Sequence, residues 1–293
     1  MQFGQKLRVS LSLNMQILKS PYGYHYTLQG KVNEGGFGEV YLATRGDNLE
    51  VAAKFIKPGH SFPAVWNSWV NECQLSLKCL HHPHIVQIYE YFRTDQNHLV
   101  IIMERAQESL SDQLEKGYRF SVEAICGIGT QILSALEHIH LQNVIHRDVT
   151  PKNILAFQGS IYKLSDFGIA KNTLYTGELE RTLIGWSLYR PPEFLIPGRH
   201  YSSLKSDLYQ LGLILLTLML GESPISPHLP QQQIDQQIIS GIPRQKAEAL
   251  VRSGGKAGQL AMVISIMLRR RDEYRYSSAW EVRNDLMKVL NYQ

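Results

Sequence analysis

Three oxygen-bearing side chains and their spacing carry the most chemistry in this chain of 293 residues. His146-Arg147-Asp148 sets a carboxylate after a His-Arg pair, Asn153 follows five residues later, and Asp166 stands eighteen residues after Asp148. Between them, Asn153 to Phe157 and Ile161 to Leu164 are short apolar-rich runs around Gln158-Gly159-Ser160, which is turn chemistry. The pattern predicts strand, turn, strand. A hairpin of that size returns the chain so that Asp148, Asn153 and Asp166 face one small volume. Two hard-oxygen ligands with a separate carboxylate suit magnesium phosphates and a hydroxyl nucleophile.

Upstream elements must position a phosphate-bearing ligand against that volume. Asn33-Glu34-Gly35-Gly36-Phe37-Gly38-Glu39-Val40 is a glycine-rich stretch whose backbone N–H groups can approach phosphate oxygens with no Cβ in the way. Val51-Ala52-Ala53-Lys54 reads as a strand, with Lys54 and Ala52 on the face opposite Ala53 and Val51. Ala64 to Leu75 reads as a helix that puts Val65, Trp69 and Glu72 on one face. Leu99 to Glu104 reads as a buried strand leading into Arg105-Ala106-Gln107.

In this order and spacing the motifs resemble the protein kinase family over about residues 22 to 290. The resemblance implies an α+β fold in two lobes: a small, mostly antiparallel β N-lobe with one main helix, and a larger, mostly helical C-lobe. It sets a domain over 22–293 after an N-terminal extension of 1–21, with the lobes meeting near 105 and 106. It implies ATP and Mg2+ as cofactors. Asp148 would orient a substrate hydroxyl and accept its proton, while Asn153 and Asp166 would hold the metal. Lys54, paired with Glu72, would hold the α- and β-phosphates beneath the loop of Asn33, Gly35, Gly36, Phe37 and Gly38. Ala53, Val40 and Leu155 would lie against the adenine. Met103 takes the gatekeeper place, and the backbone of Glu104 and Ala106 would read the adenine edge.

The C-terminal half fits the same pattern. Ser121 to Leu141 has apolar residues at helical spacing (Ile125, Ile128, Ile132, Leu133, Leu136 and Ile139), although Gly127 and Gly129 weaken an isolated helix and leave tertiary packing to hold it. A segment of Ser, Thr and Gly after Asp166 closes on Pro191-Pro192-Glu193, resembling the family's activation segment. By the same resemblance Glu193 would pair with a buried Arg275, and Asp207 would cap the backbone of the His-Arg-Asp loop. These three are structural assignments.

Departures from the family concern the substrate. Asn33 replaces the first glycine of the loop, and Asn tolerates turn conformations better than most residues. Glu72 lies one residue further from His82-Pro83-His84 than is usual. Thr150 stands where serine/threonine-specific members carry lysine, and Trp186 where they carry threonine. Lys152 is the nearby cation expected to supply the missing charge. Pro151 remains of the serine/threonine type. The expected activity is γ-phosphoryl transfer from Mg-ATP to Ser/Thr hydroxyls of a protein substrate, with autophosphorylation in the activation segment. Thr182, eleven residues before Glu193, is the expected site. The alternative is a catalytically weak pseudokinase acting as a nucleotide-binding regulatory module, motivated by Asn33, Thr150 and Trp186.

Composition bounds the rest. Hydrophobic residues make up 44% and charged residues 19%, a globular balance. A net charge of +4 is too small to argue for nucleic acid, and Arg269-Arg270-Arg271 reads as a solvated helix end. Cys73, Cys79 and Cys126 are scattered, which suits a reducing, cytoplasmic setting. No signal peptide or membrane insertion is expected, since the apolar run of Leu211 to Leu220 is ten residues long and reads as a core helix. Leu7 to Leu13 alternates as an extra strand would. Nothing in the sequence fixes the oligomeric state.

Overall fold

A computed structural model describes residues 17–35, 38–56, 81–96, 98–166, 188–196 and 203–292. They divide into two compact units. The first takes the described residues up to 56 together with Ile88–Arg105, and the second takes 81–87 and 106–292.

Among its described residues, the first unit is one antiparallel sheet of six strands: β1 (Ile17–Lys19), β2 (His25–Gly35), β3 (Gly38–Arg45), β4 (Glu50–Ile56), β5 (Ile88–Arg93) and β6 (Leu99–Glu104). Their order is β1-β2-β3-β4-β6-β5. Period-two alternation decides which side chains pack. Tyr41, Ala43, Val51, Ala53, Phe55, Val100 and Ile102 form a buried cluster with Tyr26, Leu28 and Phe92. Residues 17–19, from the stretch expected to precede the domain, belong to this sheet. Ile17 pairs with Thr27, and Ser20 Oγ donates to Glu90 Oε2 at 2.8 Å in a buried setting. The helix expected over 64–75 and the alternating run of Leu7 to Leu13 lie outside the described residues.

The second unit holds a small sheet of β7 (Glu108–Ser109), β8 (Ile154–Phe157) and β9 (Ile161–Leu164), in that order. Its helices among the described residues are α1 (Leu110–Glu115), α2 (Val122–His140), α3 (Leu204–Leu220), α4 (Gln231–Ser240), α5 (Ile242–Val251), α6 (Gly255–Met267) and α7 (Ala279–Leu290). An antiparallel β unit followed by a mostly helical one is the α+β fold expected from the sequence.

Helix α2 starts at Ser121, whose hydroxyl accepts from Ala124 N, and buries the six apolar residues that the spacing picks out. Gly129 explains why packing tolerates glycine there. A Cβ on it would come within 2.7 Å of Leu286 Cδ1 in α7 and 3.3 Å of Leu215 Cδ2 in α3, so three helices approach closely at that point. Helix α3 is buried from Ser206 to Leu218 and ends on Gly221 in the left-handed region. Among the described residues, no helix is long and apolar enough to cross a membrane.

Candidate active site

The loop that follows α2 is held by side chains from α3. Asp207, fully buried, accepts from His146 N through Oδ2 at 2.9 Å and from Arg147 N through Oδ1 at 2.8 Å. His140, at the end of α2, donates from Nε2 to Asp207 Oδ2 at 2.8 Å. Gln210, one turn along α3, accepts from Val149 N at 3.1 Å and donates to Arg147 O at 3.2 Å. Arg147 has φ +69°, a sparsely populated conformation for a residue with a Cβ. Both of its backbone polar groups are clamped from α3, which is how surrounding structure holds a strained residue in place. The sequence identifies Asp207 for this task and misses Gln210 and His140. The available signal was that Gln210 stands three residues after Asp207 and so shares its helix face.

His146 lies inside this frame. It is fully buried, its Nδ1 accepts from Asp148 N at 3.3 Å, and its Nε2 donates to Ser165 O at 3.0 Å. Those partners assign the neutral Nε2–H tautomer. Burial also pushes the imidazole pKa down, which outweighs the opposite pull of Asp207 and Asp148.

Asp148 and Asn153 are joined directly. Asn153 Nδ2 donates to Asp148 Oδ2 and to Asp148 O, each at 2.8 Å. The short 3-10 turn Pro151–Asn153 makes this reach possible. The strand-turn-strand reading holds: β8 and β9 pair from Ile154↔Leu164 to Phe157↔Ile161, and Gly159 and Ser160 turn the chain with φ +75° and +59°. The hairpin brings Ser165 back onto Asn153, where its N and Oγ donate to Asn153 O at 2.8 and 3.1 Å. Asp166 follows directly with φ +62°, a conformation aspartate tolerates better than most residues.

These donors fit a magnesium ion. With Asn153 Nδ2 committed to Asp148, Oδ1 is the atom left for a cation, and Asp166 adds a carboxylate one residue beyond the Ser165 contact. Hard oxygen donors of this kind are what magnesium takes.

In the first unit, Lys54 is partly buried on β4, and the register places it opposite Val40 on β3 and Ile101 on β6. Directly paired residues of antiparallel strands share a sheet face. Ala52 pairs with Leu42 and Met103, so Val40, Ala52, Lys54 and Met103 lie on one face. Ala53 does not. It is fully buried in the cluster with Tyr41, Phe55 and Ile102, on the opposite face from Lys54. The Ala53 expected at the adenine and the Lys54 expected at the phosphates therefore lie on opposite faces of β4, and Ala52 is the neighbour that shares the lysine's face.

The glycine-rich stretch closes β2 onto β3 at Gly35↔Gly38, with Asn33 exposed and opposite Val40. Gly36, Phe37, Glu72, Phe167, Gly168, Thr182 and Trp186 lie outside the described residues. Glu104 pairs with Val51 at the end of β6, and Ala106 is partly buried at the start of the second unit. Leu155 lies on β8 opposite Lys163 and Ser109. Lys152 is exposed in the 3-10 turn beside a partly buried Thr150.

Glu193 and Arg275 form the expected buried pair, bidentate at 2.9 and 2.7 Å, with side chains 2% and 0% exposed. Arg275 also donates to the carbonyls of Arg269, Arg270 and Lys205, and its guanidinium lies 4.7 Å from the centroid of the Tyr209 ring. Each of its five N–H groups has an acceptor, the condition under which a buried cation is tolerated. Ser206 Oγ adds a 2.7 Å bond to Glu193 Oε1.

The protein kinase domain model matches residues 26–287. Serine/threonine-protein kinase 36 of Pongo abelii is 33% identical over 201 residues, covering 68% of this chain and 15% of that protein. SNF1-like protein kinase ssp2 of Schizosaccharomyces pombe is 30% identical over 200 residues, 68% of this chain and 34% of that one. NUAK family SNF1-like kinase 1 of Mus musculus is 32% identical over 220 residues, 74% of this chain and 33% of that one. The matched region spans a third or less of the length of most such relatives, the highest share among these three being 34%. With a family match that runs over nearly all of the chain and these relatives beside it, the chain belongs to the eukaryotic-like (Hanks-type) protein kinase family.

Proposed function

We propose that the chain transfers the γ-phosphoryl group of Mg-ATP to Ser/Thr hydroxyls of protein substrates. The observation that carries this reading is the 2.8 Å hydrogen bond from Asn153 Nδ2 to Asp148 Oδ2, in a loop whose backbone is clamped by Asp207 and Gln210. That bond fixes one carboxylate oxygen of Asp148, whose task in this reading is to orient the substrate hydroxyl and accept its proton. Asn153 Oδ1 and Asp166 would hold magnesium, whose charge neutralises the phosphate oxygens when it is bound. Lys54, steadied by Glu72, binds the α- and β-phosphates, and the hairpin from Asn33 to Val40 covers them. Val40, Ala52 and Met103, on the sheet face of Lys54, would offer apolar contacts for adenine. Lys152 supplies the cation that Thr150 cannot. Positioning and charge neutralisation, more than covalent chemistry, lower the barrier. Autophosphorylation falls within the activation segment, at Thr182.

Incubation of the purified chain with radiolabelled ATP, magnesium and a general protein substrate, followed by phosphoamino-acid analysis, tests the proposal. Phosphoserine and phosphothreonine are expected, and phosphotyrosine as the sole product would overturn the specificity. The second reading, a nucleotide-binding regulatory module with weak catalysis, draws on Asn33 and Thr150 and on the exposure of Lys152. ATP binding without magnesium-dependent turnover would select it.

A further inference from the structure

The triplet Arg269-Arg270-Arg271 reads in sequence as a solvated helix end. In the folded second unit it does not stand alone. Arg244, from the first turn of α5, joins the three arginines and Tyr274 around one cavity of about 430 Å3. Two of these arginines have carboxylate partners: Arg244 pairs with Glu248 at 2.7 Å and Arg271 with Glu273 at 3.5 Å. Arg269 and Arg270 have none among the described residues. Arg244 Nε is buried without a hydrogen-bond acceptor. Counting Asp272 of the same loop, four guanidinium groups stand against three carboxylates.

The cavity has a fixed floor. Arg275 donates from Nε to Arg269 O at 2.7 Å and from Nη2 to Arg270 O at 3.3 Å, while Arg269 Nη1 donates to Tyr274 O at 2.7 Å. The residue that holds Glu193 therefore also pins the backbone of the arginine loop. Guanidinium groups without a carboxylate partner among the described residues, a buried N–H with no acceptor and a rigid backbone are the parts of an oxyanion site.

We propose that this cavity docks a phosphorylated serine or threonine side chain of a protein partner. A phosphate monoester brings close to two negative charges and three acceptor oxygens, which planar guanidinium forks match. The basic residues gather around one concavity rather than along a stripe, and the net charge of the chain is only +4, so an extended polyanion such as nucleic acid fits poorly. In taking a protein as the bearer of the phosphate, the inference rests on the kinase reading. Docking itself needs no catalysis.

The test is a binding measurement on the full chain without nucleotide. Fluorescence anisotropy would follow a labelled phosphoserine peptide in a neutral Gly-Ala background, its unphosphorylated twin, an oligothymidylate and phosphatidylserine vesicles. The phosphopeptide is expected to bind about tenfold or more tightly than its twin, with inorganic phosphate competing. The Arg269→Gln/Arg270→Gln variant should lose that preference while remaining folded. Should the double variant unfold, Arg270→Gln alone, at an exposed position, carries the test. Equal binding of the two peptides, a preference that survives the substitutions, or tighter binding of the oligonucleotide or the vesicles would overturn the proposal. None of these outcomes depends on phosphoryl transfer, so failure here is distinguishable from failure of the kinase reading.

Discussion

Lys54 and Asp148 are held by different means. Lys54 takes its face from its own strand: Val51, Ala53 and Phe55 pack on one side of β4, and Ala52 and Lys54 are left on the other. Asp148 takes its place from residues about sixty positions away. Asp207 and Gln210 clamp the backbone of residues 146, 147 and 149. A strand residue is placed by a period that any neighbour reports, whereas a loop residue is placed by hydrogen bonds that only the fold brings together. Substitutions in the two regions should therefore fail differently.

The largest effect is expected at Asp148 itself. Asp148→Asn keeps an acceptor for the Asn153 bond but cannot take a proton, so phosphoryl transfer should fall by roughly 100- to 10,000-fold. ATP affinity should stay close to that of the unmodified chain, as measured by nucleotide titration. Wild-type turnover in this variant would remove the proposed base.

This contrast also explains what was legible in the sequence. The hairpin, the helical spacing of α2 and the roles of Asp207, Glu193 and Arg275 were readable, because each rests on a motif or a period. The face of Ala53 was legible too, since alternation alone sets it opposite Lys54. Gln210 left only its place on the helix face of Asp207, and His140 left no local mark. Gln210 bonds backbone groups and His140 a carboxylate that lie about sixty positions or more away, and no spacing rule names such partners. The arginine cavity was invisible for the same reason, since Arg244 joins the triplet only through the packing of α5 beside the loop after α6.

Arg275 is the helical unit's counterpart of the packed sheet face, and removing it should cost more than any change in β4. Arg275→Met leaves the Glu193 carboxylate buried with Ser206 as its remaining hydrogen-bond donor among the described residues. It also strips three carbonyls of their donor. A loss of about 3–5 kcal/mol is expected by denaturant titration, and Arg275→Met with Glu193→Leu should recover part of it. A loss under about 1 kcal/mol would mean that the pair does not hold the helical unit together.

Lys152 tests whether the loop carries its own cation. Because the interaction develops in the transition state, Lys152→Ala should lower kcat by roughly 100-fold with little change in KM for ATP. Steady-state kinetics within about threefold of wild type would assign Lys152 to solvent.

The two faces of β4 separate stability from binding. Ala53→Leu forces extra carbon atoms into a closed cluster and should destabilise the chain by about 1–3 kcal/mol. Ala52→Leu should cost less in stability but weaken nucleotide binding, because it fills the face shared with Lys54. If instead Ala53→Leu left stability unchanged and weakened nucleotide binding, the face assignment would be reversed.

The smallest expected effect is a pH dependence in the helical unit, at His82. Its Nε2 lies 3.1 Å from Ser134 Oγ, and its ring centroid lies 5.1 Å from that of His138 and 5.8 Å from that of His84, both rings tilted against it. Burial, then the neighbouring His138 and His84 rings and Arg283, push its pKa down from 6.5 to about 4. Between those values the unfolded chain binds a proton that the folded ring refuses. Stability should therefore be unaffected above pH 6.5, fall as pH drops through that window, and level off below about 4. With allowance for the solvent around a half-buried ring, the loss is on the order of 1 kcal/mol. His146, also depressed by burial, contributes a slope of the same sign. The informative quantity is thus the difference between two chains. His82→Gln removes the titrating ring, so denaturant midpoints collected between pH 7 and about pH 4.5 should fall less steeply for the variant than for the unmodified chain. Parallel slopes would show that His82 accepts its proton in the folded state, and that the acid sensitivity of the helical unit resides in other groups.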